Sequence, residues 1–330
     1  MTQAPRPRHQ VRVADQAKIL GAFVRAFGDV LRGGKVPRET VQGALHRIPP
    51  GHSRLWARNA RLLMEDDIAI LLDDVEATLA VRDPLAPLIP EQTEGYRFLI
   101  HHGRMAMDAP SISTTMQRHA YPPHAAPLED LRVSLPDGLV QLEATFRAGG
   151  FLRIPLLMRL TPKATPDGQI ALLPREVRAQ GLPIDRLMSL LGVELGRFVP
   201  EGGKLRFEGG AFLLNPVGMM PSPETTGHLV ETMVQGEHLV MCYDDGSARR
   251  APTLAAPEAD SYIAMMGHDL LVGKITMADV CLQMVPLDPQ AHWVEFALPH
   301  YRAQLAAGES SLRFGDELLY RIPAVEVLPG

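Results

Sequence analysis

The sequence predicts an α+β fold, in which a long, strongly curved antiparallel sheet wraps around a long helix after an N-terminal helical segment. Three observations carry this expectation. Short apolar runs alternate with period two and are punctuated by Gly or Asx, with no helix between successive runs. Two other stretches repeat every three or four residues, as helices do. The second of these, after Pro183, is apolar over most of its circumference and must be covered on more than one side.

The first element is a helix in which Ile19, Leu20, Phe23, Val24, Phe27, Val30 and Leu31 share one face, stopped by Gly33-Gly34. A weaker helical piece follows Pro37, and the arginine-rich "RLWARNARLL" leads on from Pro49-Pro50-Gly51. Residues 1–62 are therefore expected as a helical segment and 63–330 as the main domain. The first helix either packs on the sheet or, with Arg6, Arg8 and Arg12 ahead of it, makes a transient contact with an anionic membrane surface.

From Asp67 the period changes. Val75, Ala77, Leu79 and Val81 alternate with Glu76, Thr78 and Ala80, a half-buried strand. After the proline-broken loop "RDPLAPLIPEQTEG", "YRFLIHHGRMAMD" is the next strand or a hairpin, and Ser111 can cap a short helix in "SISTTMQRHA". Val140, Leu142, Ala144 and Phe146, then Ile154, Leu156, Met158 and Leu160, continue the alternation. Pro155 marks an edge or a bulge. Asp137-Gly138 and Asp167-Gly168 are turn signals, and the second opens a strand through Ile170, Leu172, Val177 and Ala179. The helix from Pro183 to about Phe198 follows, its proline in the first turn where the missing N–H costs nothing. A curled antiparallel sheet would cover it. Three further glycine- or Asx-punctuated runs then complete the chain, beginning at Lys204, His228 and Asp269.

Bulk composition bounds the function. With 46% apolar residues among 330, the chain can build a large core in one or two domains. A net charge of −5 and only 5% aromatics offer neither a basic field nor a base-stacking surface, so nucleic acid is not an expected partner. No secretory signal and no uninterrupted apolar stretch of spanning length is visible, which points to a cytoplasmic protein.

Two cysteines, Cys242 and Cys281, make neither a zinc site nor a disulfide framework; they are two strand thiols or one bridge. His101, His102, His119 and His124 cluster near Asp108. Neighbouring His101 and His102 on a strand point to opposite sides, so packed or solvated histidines are expected rather than a metal site. Glu65–Asp67 and Asp73-Asp74 are strand-end charges or a cation site. No phosphate-loop, dinucleotide, nucleophile-elbow or zinc-protease pattern is present, and the chain is expected not to be an enzyme and to need no cofactor.

The "DGxI" strand at Asp167, the "GLPIDRLMSLLG" turn and helix, and the proline-rich "NPVGMMPSPETTG" segment resemble the bacterial branch of the tubular lipid-binding superfamily. The likeness covers roughly residues 65–310 and includes envelope phospholipid-binding proteins. It implies a curved sheet around a long helix, an apolar groove for acyl chains, and a cell-envelope location as the alternative to the cytoplasm. On that basis the lipid-facing residues would be Ile184, Leu187, Met188, Leu191 and Phe198 on the helix, with Val140, Leu142, Phe146, Ile154, Leu156 and Met158 on the sheet. The function implied is non-enzymatic binding or carriage of phospholipid or fatty acyl chains. The alternative is a structural or protein-interaction module with a solid core. Methionines scattered from Met105 to Met284 suit either an adaptable apolar site or an irregular core.

Overall fold

The computed structural model of the chain describes residues 48–120, 128–148, 152–179, 182–183, 205–216, 220–250, 258–272, 275–313 and 317–328. The chain opens with β1 (His52–Arg58), β2 (Ala60–Glu65), β3 (Ile68–Val81) and β4 (Tyr96–Asp108). β3 is long enough to serve two partners, pairing β2 through its first half and β1 through its second. The change of partner falls at an irregularity between Asp73 and Glu76, where Asp74 has φ +51°.

That bulge resets the pleat. Before it Ile68, Ile70 and Leu72 are buried; after it Val75, Ala77 and Leu79 are. β4 changes parity at the same level, from Tyr96, Phe98 and Ile100 to Met105 and Met107, across Gly103 at φ +128°. An extra residue bends a strand and re-aims its side chains. Only glycine fits at 103, because a Cβ there would lie 2.6 Å from Val75 Cα.

At Asp108 the chain leaves the sheet through α1 (Ala109–Thr115) and a π turn to Ala120. The N-cap is Asp108, whose side chain accepts from the Ser111 N–H at 2.8 Å. The cap is therefore one turn earlier than a Ser111 cap, and Pro110 fills the first turn. Arg118 then ties the π turn to the β2–β3 corner, bonding both Asp67 oxygens and Glu65. His119 adds a 2.9 Å contact to Glu65.

The second sheet follows: β5 (Leu128–Ser134), β6 (Val140–Ala148), β7 (Leu152–Ala164), β8 (Ile170–Ala179), β9 (Leu182–Pro183), β10 (Leu205–Glu208) and β11 (Ala211–Leu214). It is antiparallel throughout, in the order β10-β11-β8-β7-β6-β5, with β9 on β8. Asp137 (φ +52°) and Gly138 (φ +76°) make the β5–β6 turn, and Gly168 (φ +78°) the β7–β8 turn, as Asx-Gly pairs predict. Pro155 sits on β7 just before its ladder to β8 begins at Leu156, so its missing N–H falls at a local edge.

The chain then returns to the first sheet with β12 (Glu224–Gly227), β13 (Leu229–Gln235), β14 (His238–Asp244) and β15 (Tyr262–Gly267). After the small hairpin β16 (Leu270–Val272) and β17 (Ile275–Met277) come β18 (Val280–Pro286), β19 (Val294–Ala297), α2 (Tyr301–Ala307), β20 (Glu309–Leu312) and β21 (Leu318–Ile322). This sheet has twelve strands, with a main path β13-β14-β4-β3-β1-β15-β18-β21-β20 and a side arm from β3 through β2 to β19. The pairings are mostly antiparallel; β12–β4, β18–β21 and β19–β2 are parallel. A single buried apolar cluster runs through both sheets.

Two expectations are corrected. The fold is mainly β, not a sheet wrapped around a long helix: among the described residues the α-helices α1 and α2 have seven residues each. Pro183, expected to start the helix, pairs with Arg178 as the end of β9. The remainder of that helix, 184–198, lies outside the described residues, as does the N-terminal helix at 19–31. The curved sheets cover their apolar faces with each other and with short elements, so a central rod is not required to bury them.

The second correction concerns the helical reading of 1–62. His52–Arg58 and Ala60–Glu65 are strands, and position 62 lies inside β2. The alternation is concealed because β1 is covered on both faces: Leu55 points into the main core and Trp56 into a separate cluster with Tyr262, Met266 and Leu319.

Candidate functional site

The two arms that leave β3 bend towards each other and enclose an apolar cavity. Its walls alternate as strands require. Leu55 (β1), Ile263 and Met265 (β15), Leu282 and Met284 (β18) face in, while Trp56, Ala264, Met266 and Val285 face the outer cluster. The opposite wall comes from Leu62 and Met64 on β2, Phe296 on β19, and Tyr301 and Leu305 on α2. Leu270, Val272 and Met277 of the small hairpin, with Leu88 and Pro90 of the loop after β3, cover one end. That loop is held by backbone bonds from Leu88 N to Asp269 O at 2.7 Å and from Leu271 N to Leu88 O at 2.9 Å.

About 1100 Å³ between these side chains holds no protein atom, part of it open to solvent. The cavity proper is about 110 Å³. Leu55, Leu62, Phe296 and Leu298 line it and are only half-buried. The described side chains leave the centre of the roll unfilled.

None of the described lining residues is charged. The Tyr96 hydroxyl donates to Pro90 O at 3.2 Å and Thr225 Oγ1 to Pro223 O at 3.1 Å. Tyr301 donates to Glu91, which also pairs with Arg302. Tyr320 lies beside Ser310 across the β20–β21 ladder. Burial pushes the Tyr96 and Tyr301 phenols well above their ordinary range, so the wall stays neutral.

The sheet residues expected to face lipid are elsewhere. Val140, Leu142 and Phe146 on β6 and Ile154, Leu156 and Met158 on β7 are all buried. They share one face, with Leu142 opposite Met158 and Phe146 opposite Ile154. None lines the large cavity; Leu142 and Met158 border only a small gap with Met116, Leu131 and Phe212. Ile184, Leu187, Met188, Leu191 and Phe198 lie outside the described residues. The lining residues that sequence reasoning missed come from many strands, and only the methionines among them (Met105, Met265, Met277 and Met284) carried a signal.

The histidines group as their strand positions require. His101, half-exposed, is 2.8 Å from Thr78 Oγ1 and 2.7 Å from Asp245. His102 is buried on the other face. Asp244 meets its Nδ1 at 3.2 Å, while Ser247 at 3.1 Å and Asp245 at 3.8 Å face its Nε2. His102, Asp244 and Asp245 are close enough to share an ion, but the carboxylates face different ring nitrogens and both nitrogens have protein partners. Burial works against the Asp245 charge, yet hydrogen bonds from Ser247 and His101 outweigh it and hold the carboxyl well below the usual range. His119 is bound to Glu65, and His124 lies outside the described residues. Cys242 on β14 and Cys281 on β18 are not bridged to each other. Among the described residues no helix is long and apolar enough to cross a membrane.

The geometry defines a class, a mainly β protein of two sheets with an apolar chamber inside the larger. Comparison adds no relative: no protein-family model, curated protein or solved structure matches the chain.

Proposed function

We propose that the protein binds an apolar ligand, a lipid or its acyl chain, inside the large sheet, without catalysing a reaction. The observation that carries this reading is the chamber itself. Protein interiors are close-packed, with few voids larger than a water, and a void left unfilled forfeits the contacts of its lining. A guest chain restores those contacts and gains about 0.8 kcal/mol for each methylene buried. The lining is apolar with a few committed hydroxyls, as small-molecule sites usually are.

Native mass spectrometry after mild extraction tests the reading. A mass above that of the bare chain, released on denaturation and identified as a lipid, is the expected result. A bare mass, together with no uptake of the uncharged dye Nile red, would leave the chamber as a packing defect in a structural or interaction module.

A further inference from the structure

Resting on that reading, we infer that the chamber selects an uncharged lipid chain over the same chain carrying a free carboxylate. Three observations converge on this class. None of the described residues around the cavity is charged, so an ionised head inside would find no counterion among them. The hydroxyls of Tyr96, Thr225 and Tyr301 are already donated to Pro90 O, Pro223 O and Glu91. The ion pair next to the wall, Glu91 with Arg302, is closed on itself and on the Tyr301 hydroxyl, to which Arg302 Nε donates at 3.1 Å. It presents no free guanidinium to an anion.

Burial of an ionised group without a partner costs several kcal/mol, so the carboxylate of a fatty acid enters only by taking up a proton. A fatty alcohol of the same chain length carries no such cost.

Displacement of Nile red from the intact chain by 1-dodecanol and dodecanoate, each below its aggregation threshold, tests the inference. At pH 8, dodecanol should displace the dye and dodecanoate should be about a hundredfold weaker or worse. Dodecanoate should then gain about tenfold for each unit by which the pH is lowered, as the neutral acid becomes more abundant. Equal displacement by dodecanoate and dodecanol at pH 8 overturns the selectivity while leaving apolar binding intact. Failure of Nile red and both chains to bind overturns both.

Discussion

Replacement of Gly103 by alanine probes the bend on which the chamber depends. Gly103 lies at φ +128°, and a Cβ added there would meet Val75 Cα at 2.6 Å, Asp74 O at 2.7 Å and Val75 Cγ2 at 2.9 Å. Two of these atoms are backbone and cannot rotate away. The unfavourable φ costs about 1–3 kcal/mol, and forced overpacking adds about 1–3 kcal/mol. A loss of about 2–6 kcal/mol is a large share of the roughly 5–15 kcal/mol by which domains are stable. Gly138→Ala is the control, since Gly138 has φ +76° but nothing within 4 Å of its would-be Cβ. It should lose only about 1–2 kcal/mol, the left-handed penalty alone. Urea unfolding with an unchanged m-value reads both differences. Equal losses in the two variants, or less than about 1 kcal/mol for Gly103→Ala, would refute the claim that β3 and β4 are locked together at this level.

Other perturbations address the chamber, a surface latch and a buried carboxyl. Leu55→Trp fills the cavity from β1; Nile red affinity should fall at least tenfold while the melting temperature holds or rises, and unchanged dye binding would place the dye elsewhere. Arg118→Ala removes the clamp on Asp67 and Glu65. Because Arg118 is 44% exposed, the loss should be only about 1 kcal/mol and should shrink in high salt, as seen in urea melts at two ionic strengths. The Glu317 carboxyl is raised above its ordinary range by burial and, less strongly, by Glu258, against the lowering effect of Arg313. The folded state thus holds its proton to higher pH than the unfolded chain, and stability falls as pH rises above the unfolded value. Glu317→Gln should therefore be more stable than the parent at pH 7, with the gap closing towards pH 4; a gap that widens in acid would reverse the assignment.

Strands whose two faces differ were legible. β3 after Asp74, β4, β6 and β7 each present one apolar face, and their alternation placed them directly in the sequence. β1 was not legible, because Leu55 and Trp56 are buried on opposite sides and leave no period of two; arginines spaced through "RLWARNARLL" then look helical. The cap at Asp108 was one turn earlier than expected, since an aspartate at the end of a strand serves as well as the serine behind it. The location of the void shows a deeper limit. A face that packs solidly and a face that lines a void have the same alternating apolar pattern. Which of them is hollow depends on how far apart non-local strands are held, and Leu55, Leu62, Met265 and Phe296 come together only in three dimensions.

The difference between the two sheets explains where a void can persist. The β6–β7 face is closed by residues of the π turn, β5, β8, β10 and β11, which leave only a small gap. The larger sheet has to cover itself. Its arms diverge from β3 at the Asp74 bulge, and the partner changes there from β2 to β1, so the walls are set by backbone pairing rather than by the size of the side chains between them. Small shifts of those side chains cannot draw the arms together without breaking ladders. Met64, Met105, Met265, Met277 and Met284 do line the space, and unbranched thioethers adjust to whatever lies beside them. A guest would therefore meet a wall tolerant of shape but intolerant of charge. Selection in such a site acts chiefly through the unpaid desolvation of the wrong ligand, and at one chain length branching and unsaturation should alter affinity less than one ionised group.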